Sequence, residues 1–526
     1  MSRAAASLAL GLSLALAVVA SSSAASHQTA ARDAHGNAAE RLDIGLSGRG
    51  AVIEGEAAPG RTASSPTVLI VGGLGGDDAS ATEVRAAFAA FRRLPRSRRP
   101  FAVVAIAIAN PDDAPLEFPP QGTAYRDHPE SFALWRWIGV RAPDLVLVAG
   151  PDVAGLAAAL ASHEAAEVGR IPARDGFAPD ELATLGAAAI QPSPAHREIE
   201  RRLARTPLEL ARDLALHYGH SFDEPIYIDA LALIGQLRLE HLHEVERLVA
   251  PYVDGKRDSL AHPNSLVFAG QLVFGALARR THDPRYTARV VAAANFGFDA
   301  DGRMKPAMPF NDGFSDSIFM GTDILVEAGA LTGERRYFDM AARHVAFMQK
   351  LDLRADGLYR HHPGTQVAWG RGNAFAAVGL ALALSEFPPD HPAFPRLLRS
   401  YRSLMAALVR YQEPDGMWRN VIDHPGAYQE FSATAMIAFA LQRGLERGWL
   451  PRRRYEHAVR RAWRAVLARV GPDGRLVNVC ASTARASSLI DYLDRPAILG
   501  PDPRGGAMAL LLATELAGSK SSRAVR

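Results

Sequence analysis

The chain has 526 residues, of which 48% are apolar and 22% charged, and its formal net charge is +3. This length exceeds that of one ordinary domain, and the apolar fraction excludes a mostly disordered protein. The near-balanced charge gives no support for nucleic-acid binding, and the single cysteine, Cys480, excludes intramolecular disulfides and multi-cysteine metal sites.

The N-terminus has the pattern of a secretory signal. Arg3 precedes an apolar run at residues 4–20, and small residues follow at 21–25. No later stretch reaches the roughly 18 uninterrupted apolar residues that a membrane span requires. We therefore predict a signal peptide at 1–25 and a bacterial protein that is periplasmic or secreted, without membrane contact after cleavage.

Residues 45–160 have the pattern of an α/β domain. Short β-type apolar runs at 67–71, 101–109 and 145–148 alternate with helical stretches. Strands that alternate with helices favour a largely parallel sheet. The following segment is rich in alanine and broken by proline and glycine, so residues 161–197 are predicted to be a linker.

Residues 198–518 are helical and carry an internal repeat. Asp-Gly pairs, which supply the turn where a helix must stop, occur at 254–255, 301–302, 356–357, 415–416 and 473–474. A second series, at the starts of amphipathic helices, consists of Tyr286, Tyr337, Phe394 and Tyr455. At about 55 residues per unit, the region holds about six helical hairpins. Six helical hairpins in sequence predict an all-α (α/α)6 toroid, and an open solenoid is the alternative.

Asp316 lies in the densest polar cluster of the helical region, residues 310–321. It stands at the start of a predicted helix over 318–331, so capping is the alternative to a catalytic role. For Asp316 to act as an acid, burial or a second carboxylate has to raise its pKa.

A second cluster combines His361 and His362 with Trp369, Arg371 and Asn373. An indole offers a face for stacking and a guanidinium can clamp a carboxylate, so the pair points to an acidic sugar. The histidines have no third ligand at metal-binding spacing, and we predict neither a metal nor a cofactor. Since each cluster follows a repeat turn, a toroid would bring them to one end.

Six motifs of the helical region match a known family in order and spacing. They are Phe314-Ser315-Asp316 with residues 317–320, residues 357–359 with His361, residues 369–373, residues 416–418 with Asp423, residues 430–432, and residues 505–507 with Glu515. With them, residues 226–518 resemble the unsaturated uronyl hydrolases of glycoside hydrolase families 88 and 105. The resemblance implies an (α/α)6 toroid that removes a 4,5-unsaturated uronic acid from lyase-generated oligosaccharides, so the expected partner is an acidic oligosaccharide.

The resemblance also implies roles for particular residues. Asp316 matches the acid that protonates the C4=C5 vinyl ether before water adds at C5, and His361 matches a substrate-contacting histidine. Trp369 and Arg371 match the motif that lines the sugar site, where the charge of Arg371 suits the uronate carboxylate. The other predicted substrate-binding residues are Phe375, Asn264, Trp418 and Glu430.

Two positions depart from the family pattern. Phe375 stands where the family usually has tryptophan, which leaves a smaller stacking face. Asn264 is the nearest counterpart of the family's second aspartate, and an amide cannot ionise to raise the pKa of Asp316 by charge repulsion.

The N-terminal region has motifs of its own at residues 72–78, 110–112 and 142–147. With these, residues 65–160 resemble the zinc-carboxypeptidase-like α/β fold. Gly75 and residues 148–150 stand where active members carry the zinc histidines, so the resemblance implies a metal-free accessory domain.

Two alternative functions remain open from the sequence. One is another toroid carbohydrate enzyme, an ordinary glycosidase or an epimerase. The other is a non-catalytic glycan-binding protein. The sequence predicts no oligomeric state.

Overall fold

The computed structural model describes residues 40–518 of the chain. The signal peptide predicted at 1–25 lies outside these residues. In the part of the chain that the structure describes, no helix is long and apolar enough to cross a membrane.

The N-terminal part of the structure is an α/β layer. Its strands are β1 (Glu40–Leu46), β2 (Val52–Ala58), β3 (Thr67–Val71), β4 (Ala102–Ile106), β5 (Leu145–Ala149) and β6 (Ala173–Phe177). Its helices are α1 (Ala79–Arg93), α2 (Pro129–Arg141), α3 (Leu156–Ser162) and α4 (Glu181–Thr184), with 3₁₀ turns at Arg96–Arg98 and Ala187–Ala189. Within residues 40–518 the six strands form one sheet in the order β1-β2-β4-β3-β5-β6.

The sheet is largely parallel and covered on both faces. Strands β3 to β6 run parallel to one another, whereas β1 and β2 are antiparallel additions at one edge. Ile70 of β3 packs in a cluster with Phe88 of α1, and Leu69 packs on the opposite face with Ile138 of α2. Burial on both faces explains why the central strands are continuous apolar runs.

The observed sheet corrects the predicted boundaries of 45–160 for the α/β region and 161–197 for a linker. The sheet begins at Glu40, and β6 lies inside the predicted linker. The sequence Ala-Arg-Asp-Gly-Phe of β6 has no apolar run because an edge strand exposes much of its surface.

The helical region follows. Its helices are α5 (Pro194–Leu203), α6 (Pro207–Ala215), α7 (Tyr227–Arg238), α8 (Leu242–Val253), α9 (Ser265–Gly270), α10 (Leu272–Thr281), α11 (Pro284–Ala294), α12 (Ser317–Met320), α13 (Thr322–Thr332), α14 (Arg335–Asp352), α15 (Gly370–Glu386), α16 (Phe394–Arg410), α17 (Phe431–Glu446), α18 (Arg452–Ala468), α19 (Leu489–Leu493) and α20 (Pro503–Gly518). A 3₁₀ turn covers Asn295–Gly297. Short strands pair as β7 (Trp418–Arg419) with β8 (Gln429–Glu430), and β9 (Leu476–Cys480) with β10 (Ala497–Gly500).

Six helices among the described residues form a closed inner ring. Helix α7 contacts α10, and the contacts continue through α13, α15, α17 and α20 back to α7. The outer layer consists of α6, α8, α11, α14, α16 and α18, each packed on the inner ring. The arrangement is an (α/α)6 toroid, and its closure excludes the open solenoid.

The Asp-Gly repeat is confirmed as the turn that ends five of the six hairpins. Each pair follows an outer helix and precedes the next inner one. The glycines adopt a positive φ, which side chains disfavour, at Gly255 (75°), Gly302 (76°), Gly357 (89°), Gly416 (101°) and Gly474 (76°). The N-terminal ends of the inner helices therefore meet at one end of the ring.

The α/β layer packs on that same end of the ring. Arg136 of α2 donates to Asn478 Oδ1 of β9 at 2.7 Å and to the Ala497 carbonyl of β10 at 2.9 Å. The rings of Tyr125 and Tyr428 stack with centroids 4.5 Å apart. These contacts place the α/β layer beside the loops that hold the predicted site residues.

Candidate active site

The loop before α12 positions Asp316 at the N-terminal end of the inner ring. The Asn311 side chain donates to the Met308 carbonyl at 2.8 Å and accepts from the Gly313 N–H at 3.0 Å. The Ser315 N–H donates to the His361 carbonyl at 2.9 Å. This backbone bond ties the cluster at 310–321 to the next hairpin's turn.

Asp316 is a buried acid rather than a helix cap. Its side chain makes no capping hydrogen bond, it is only 9% exposed, and its Oδ1 has no hydrogen-bond partner among residues 40–518. Burial raises the pKa of Asp316 to about 6, although the positive charges of Arg371 and Arg495 oppose the rise. An acid that retains its proton near pH 6 is suited to general acid catalysis.

His361 faces Asp316 across a gap. Its Nε2 lies 3.9 Å from Asp316 Oδ1, too far for a direct hydrogen bond, and it has no other partner among the described residues. Its Nδ1 lies 2.7 Å from the Tyr492 hydroxyl, and its ring stacks on Phe314 with centroids 4.6 Å apart. Burial lowers the pKa of His361 to about 2, so the imidazole is neutral.

Trp369 forms the buried base of this arrangement. Its indole N–H donates to Asn420 Oδ1 at 3.1 Å. The guanidinium carbons of Arg371 and Arg495 lie 4.8 and 4.5 Å from the ring centroid, and the His361 ring is also adjacent. Because the indole is fully buried among these groups, it supports His361 rather than offering an open face to a sugar, which corrects the predicted stacking role.

Arg371 is held by backbone carbonyls. Its two terminal nitrogens donate to the Cys480 carbonyl at 2.6 Å and the Ser482 carbonyl at 3.0 Å, and the side chain is fully buried. Its charge acts on Asp316. The prediction that Arg371 binds a substrate carboxylate directly is therefore corrected. Arg371 instead places a buried positive charge near Asp316.

Residues 481–486, named here the strap, cross the site without regular secondary structure. The side chains of four residues outside the strap, Arg371 among them, contact its backbone carbonyls. Arg495 donates to the Ser482 and Ala484 carbonyls, Arg504 donates to the Ala481 carbonyl at 2.6 Å, and His362 lies 2.8 Å from the Ala486 carbonyl. Together with Arg371, these contacts gather positive charge around Asp316.

Arg485 is the exposed arginine of the strap. Its guanidinium lies 4.7 Å from the Phe314 ring centroid, and it contacts His362 and the Asp312 carbonyl. Of the arginines around Asp316 it is the most open to solvent, which makes it a better candidate for a substrate carboxylate than Arg371. No sequence motif pointed to it, because it lies in a loop without periodicity.

Glu430 and Trp418 are structural residues. The Glu430 carboxylate accepts from the Ser432, Ala433 and Cys480 backbone N–H groups. The Trp418 indole N–H donates to the Leu408 carbonyl at 2.8 Å and packs in the toroid core. The predicted substrate contacts of both residues are corrected, because the first is saturated by backbone amides and the second points towards the outer layer.

Phe375 is part of an aromatic plug across the centre of the ring. Its ring packs against Tyr227 with centroids 5.3 Å apart and against Phe319 with centroids 5.6 Å apart. Phe375 is 1% exposed, so the predicted stacking on a sugar is corrected. The plug, defined as Tyr227, Phe319 and Phe375, closes the inner end of the site.

Asn264 caps a helix. Its Oδ1 accepts from the Val267 N–H at 3.0 Å, and its Nδ2 donates to the His262 carbonyl at 3.3 Å. Both polar atoms of the side chain are thus engaged locally. The structure does not bring this half-buried residue into contact with Asp316, which corrects its predicted role as a substrate ligand.

Asp352 is a buried carboxylate that the sequence analysis missed. It is fully buried at the end of α14, and both oxygens lack hydrogen-bond partners among the described residues. Burial raises its pKa to about 8, and the charge of Asp316 adds to the rise. The available signal was its position seven residues after Val345 and four after Met348, which places it on the apolar stripe of the helix.

The described residues contain no group of three or more His, Cys, Asp or Glu side chains that could hold a metal ion. What the site offers is a buried acid, a neutral imidazole and several arginines, arranged for proton transfer beside an anionic ligand.

The comparisons with known proteins agree with the fold of the helical region. Residues 257–519, half of the chain, match Glycosyl Hydrolase Family 88. The chain therefore belongs to this family of glycoside hydrolases. The match does not reach the α/β layer, whose resemblance to a zinc-carboxypeptidase-like fold stays a prediction.

Two curated relatives are unsaturated uronyl hydrolases. Unsaturated rhamnogalacturonyl hydrolase YesR of Bacillus subtilis (strain 168) is 31% identical over 193 residues, 35% of this chain and 54% of the relative. An unsaturated 3S-rhamnoglycuronyl hydrolase of Formosa agariphila is 33% identical over 128 residues, 23% of this chain and 34% of the relative. The matches thus span about half and about a third of these relatives.

A solved structure supports the fold of the helical region. A possible member of the GH105 family from Salmonella enterica subsp. enterica serovar Paratyphi A has a TM-score of 0.51 at 19% identity. The likeness covers 59% of this chain and 94% of that one.

Proposed function

We propose that the protein removes a 4,5-unsaturated uronic acid from the end of an acidic oligosaccharide. The observation that carries the proposal is Asp316, a buried acid with a pKa of about 6 whose Oδ1 has no partner and faces the neutral His361 across 3.9 Å. The activities of the two curated relatives are of the same kind.

In the proposed reaction Asp316 transfers its proton to C4 of the C4=C5 bond, while water adds through its oxygen at C5. The second proton of the water passes to the Asp316 carboxylate, which restores the acid. The hemiketal formed at C5 opens by cleavage of its bond to the ring oxygen, which leaves a ketone at C5. The hemiacetal at C1 then releases the aglycone alcohol and becomes an aldehyde.

The position of His361 suits a role in binding the water molecule that adds at C5 in the proposed reaction. Its neutral Nε2 and Asp316 Oδ1 both lack partners among the described residues. A water molecule or a substrate hydroxyl between them could bond to both atoms, whose separation of 3.9 Å is too long for direct contact. Tyr492 holds the imidazole from the opposite side at 2.7 Å.

An ordinary two-carboxylate glycosidase is the weaker alternative. That reaction needs a second carboxylate that is ionised and free to act as base or nucleophile. Glu430 is occupied by backbone amides, and Asp352 has a pKa of about 8, so it is neutral at the pH at which Asp316 loses its proton.

The test is the loss of absorbance from the unsaturated uronate when lyase-generated oligosaccharides are added. The full chain should remove this band, and Asp316→Asn should lower kcat by a factor of about 100 or more. Asp301→Asn, in an exposed turn of the preceding hairpin, is the matched control and should keep full activity.

Three results would contradict the proposal. Full activity of Asp316→Asn would exclude its catalytic role. Turnover of saturated sugars would favour an ordinary glycosidase or an epimerase. Glycan binding without turnover of any unsaturated uronate would favour a non-catalytic binding protein.

We also propose that the protein is exported to the bacterial periplasm or exterior and that its α/β layer is a metal-free accessory domain. The apolar run at 4–20 and the absence of zinc histidines at Gly75 and residues 148–150 support these assignments. Mass spectrometry of the mature N-terminus and metal analysis of the purified protein test them. An intact N-terminus or stoichiometric zinc would contradict them.

A further inference from the structure

A cavity lies at the end of the ring opposite Asp316. Its volume is about 410 Å³, within the size range of small-molecule sites. It lies between the later parts of the inner helices, with Ile234 of α7, Ala276 of α10 and Leu382 of α15 among its walls. Because the site described above lies at the first residues of the inner helices, that site and this far cavity are at opposite ends of the toroid.

The aromatic plug lies between the far cavity and the site around Asp316. Along α12 and α13, Phe319 comes between Asp316 and Asp323, and along α15, Phe375 comes between Arg371 and Leu382. With Tyr227, these rings fill the middle of the ring in mutual contact. A ligand of the far cavity would therefore not touch the groups around Asp316.

Asp323 lines the far cavity as a buried residue. It is 4% exposed, and neither carboxylate oxygen has a hydrogen-bond partner among residues 40–518. Much of the rest of the lining is apolar, including Leu231 and Leu272. An unpartnered buried carboxylate is costly to the folded state, and a ligand that donates hydrogen bonds to it would relieve that cost.

The mouth of the cavity is formed by charged residues that already have partners. Glu327 follows Asp323 by one helical turn, which is about 6 Å along the helix axis. The Arg279 side chain at the rim is 39% exposed. The ion pairs are Arg279 with Glu327 and Glu386, Arg238 and Arg443 with Glu515, and Arg280 with Glu240. Of the carboxylates that line the cavity, Asp323 is the one without an arginine in the described chain.

The unpaired Asp323 carboxylate, among charged residues that already have partners, favours a cationic ligand. Burial and the nearby Glu327 charge raise the pKa of Asp323 well above its usual range. A positive group beside Asp323 would offset both effects. Hydrogen bonds between charged groups are roughly twice as strong as neutral ones, and the leucine, isoleucine, valine and alanine side chains of the wall suit an apolar body.

We propose that this far cavity binds a small organic amine, whose ammonium group pairs with Asp323 and whose apolar body lies against the helix walls. The site is independent of the proposed hydrolase activity.

Titration calorimetry of the full chain with 2-phenylethylammonium tests the proposal. We expect a Kd of about 1 mM or tighter, a range reached by ligands of this size. The isosteric neutral alcohol 2-phenylethanol should bind at least ~10-fold more weakly, because it lacks the charge that pairs with Asp323.

Variants locate the site. Asp323→Asn should weaken amine binding ~10- to 100-fold, and Ala276→Phe should abolish it by filling the cavity. Asp352→Asn is the matched control, since it also removes a buried carboxylate without hydrogen-bond partners but at the other end of the ring. It should leave amine binding unchanged, as should Asp316→Asn.

The proposal is overturned if the wild-type protein binds no amine, which would mean that the cavity holds only water. Equal affinity for 2-phenylethanol, or unchanged binding by Asp323→Asn, would also overturn it. Loss of binding in Asp316→Asn would place the amine in the active site instead. If Asp323→Asn does not fold, Ala276→Phe decides the location.

Discussion

Replacing Asp316 by asparagine should make the folded protein more stable at pH 8. In the unfolded chain the carboxyl loses its proton near pH 3.8, whereas in the folded protein it keeps the proton until about pH 6. The unfolded state thus binds fewer protons between these values, so stability falls as the pH rises through this interval. Above pH 6 the full penalty is present, and it is worth ~3 kcal/mol at 1.36 kcal/mol per pKa unit.

An uncharged asparagine of nearly the same shape escapes this penalty. At pH 8, Asp316→Asn should therefore unfold at a temperature a few degrees higher than the wild-type protein. This difference in unfolding temperature should disappear below about pH 4, where Asp316 is neutral in both the folded and the unfolded protein. Thermal unfolding of both proteins at several pH values measures the effect, with Asp301→Asn as the exposed control. The reasoning is refuted if the difference is absent at pH 8 or does not change with pH.

Three further predictions concern the same end of the ring. Because the proposed reaction requires protonated Asp316, kcat/KM should fall about tenfold per pH unit above pH 6, and a profile that stays flat to pH 8 would exclude it as the acid. Tyr492→Phe leaves the buried His361 Nδ1 without its 2.7 Å partner and should lower the free energy of unfolding by about 1–3 kcal/mol. Denaturant titration measures this loss, and an unchanged midpoint would show that the hydrogen bond does not stabilise the fold. Asp352→Asn should stabilise the protein more at pH 8 than at pH 4, and thermal unfolding with equal effects at both would contradict the raised pKa.

Much of the fold was predictable because its signals are local. Each Asp-Gly pair marks a turn whose glycine has a positive φ, and an aromatic residue such as Tyr337 marks the start of an outer helix. The central strands are buried on both faces and so read as apolar runs. The edge strand β6 was missed because its surroundings, rather than its own residues, make it a strand.

The site was predictable in part, for a different reason. Motif spacing brought Asp316 and His361 to one end of the ring, but spacing along the chain does not fix the direction in which a side chain points. Trp418 turns towards the outer layer and bonds to the Leu408 carbonyl, and the Glu430 oxygens turn back to the start of α17. Asp352 was missed because a carboxylate on an apolar helix face contradicts the usual pattern.

The α/β layer contributes to the active site through the backbone that carries the strap. Strand β9 ends where the strap begins, and β10, which pairs with β9, follows it after α19. Arg136 bonds to Asn478 in β9 and to the Ala497 carbonyl in β10, and so holds both flanking strands from outside. Since Arg371 and Arg495 bond to the Ser482 carbonyl of the strap, the positive charge beside Asp316 is positioned in part by contacts from the α/β layer.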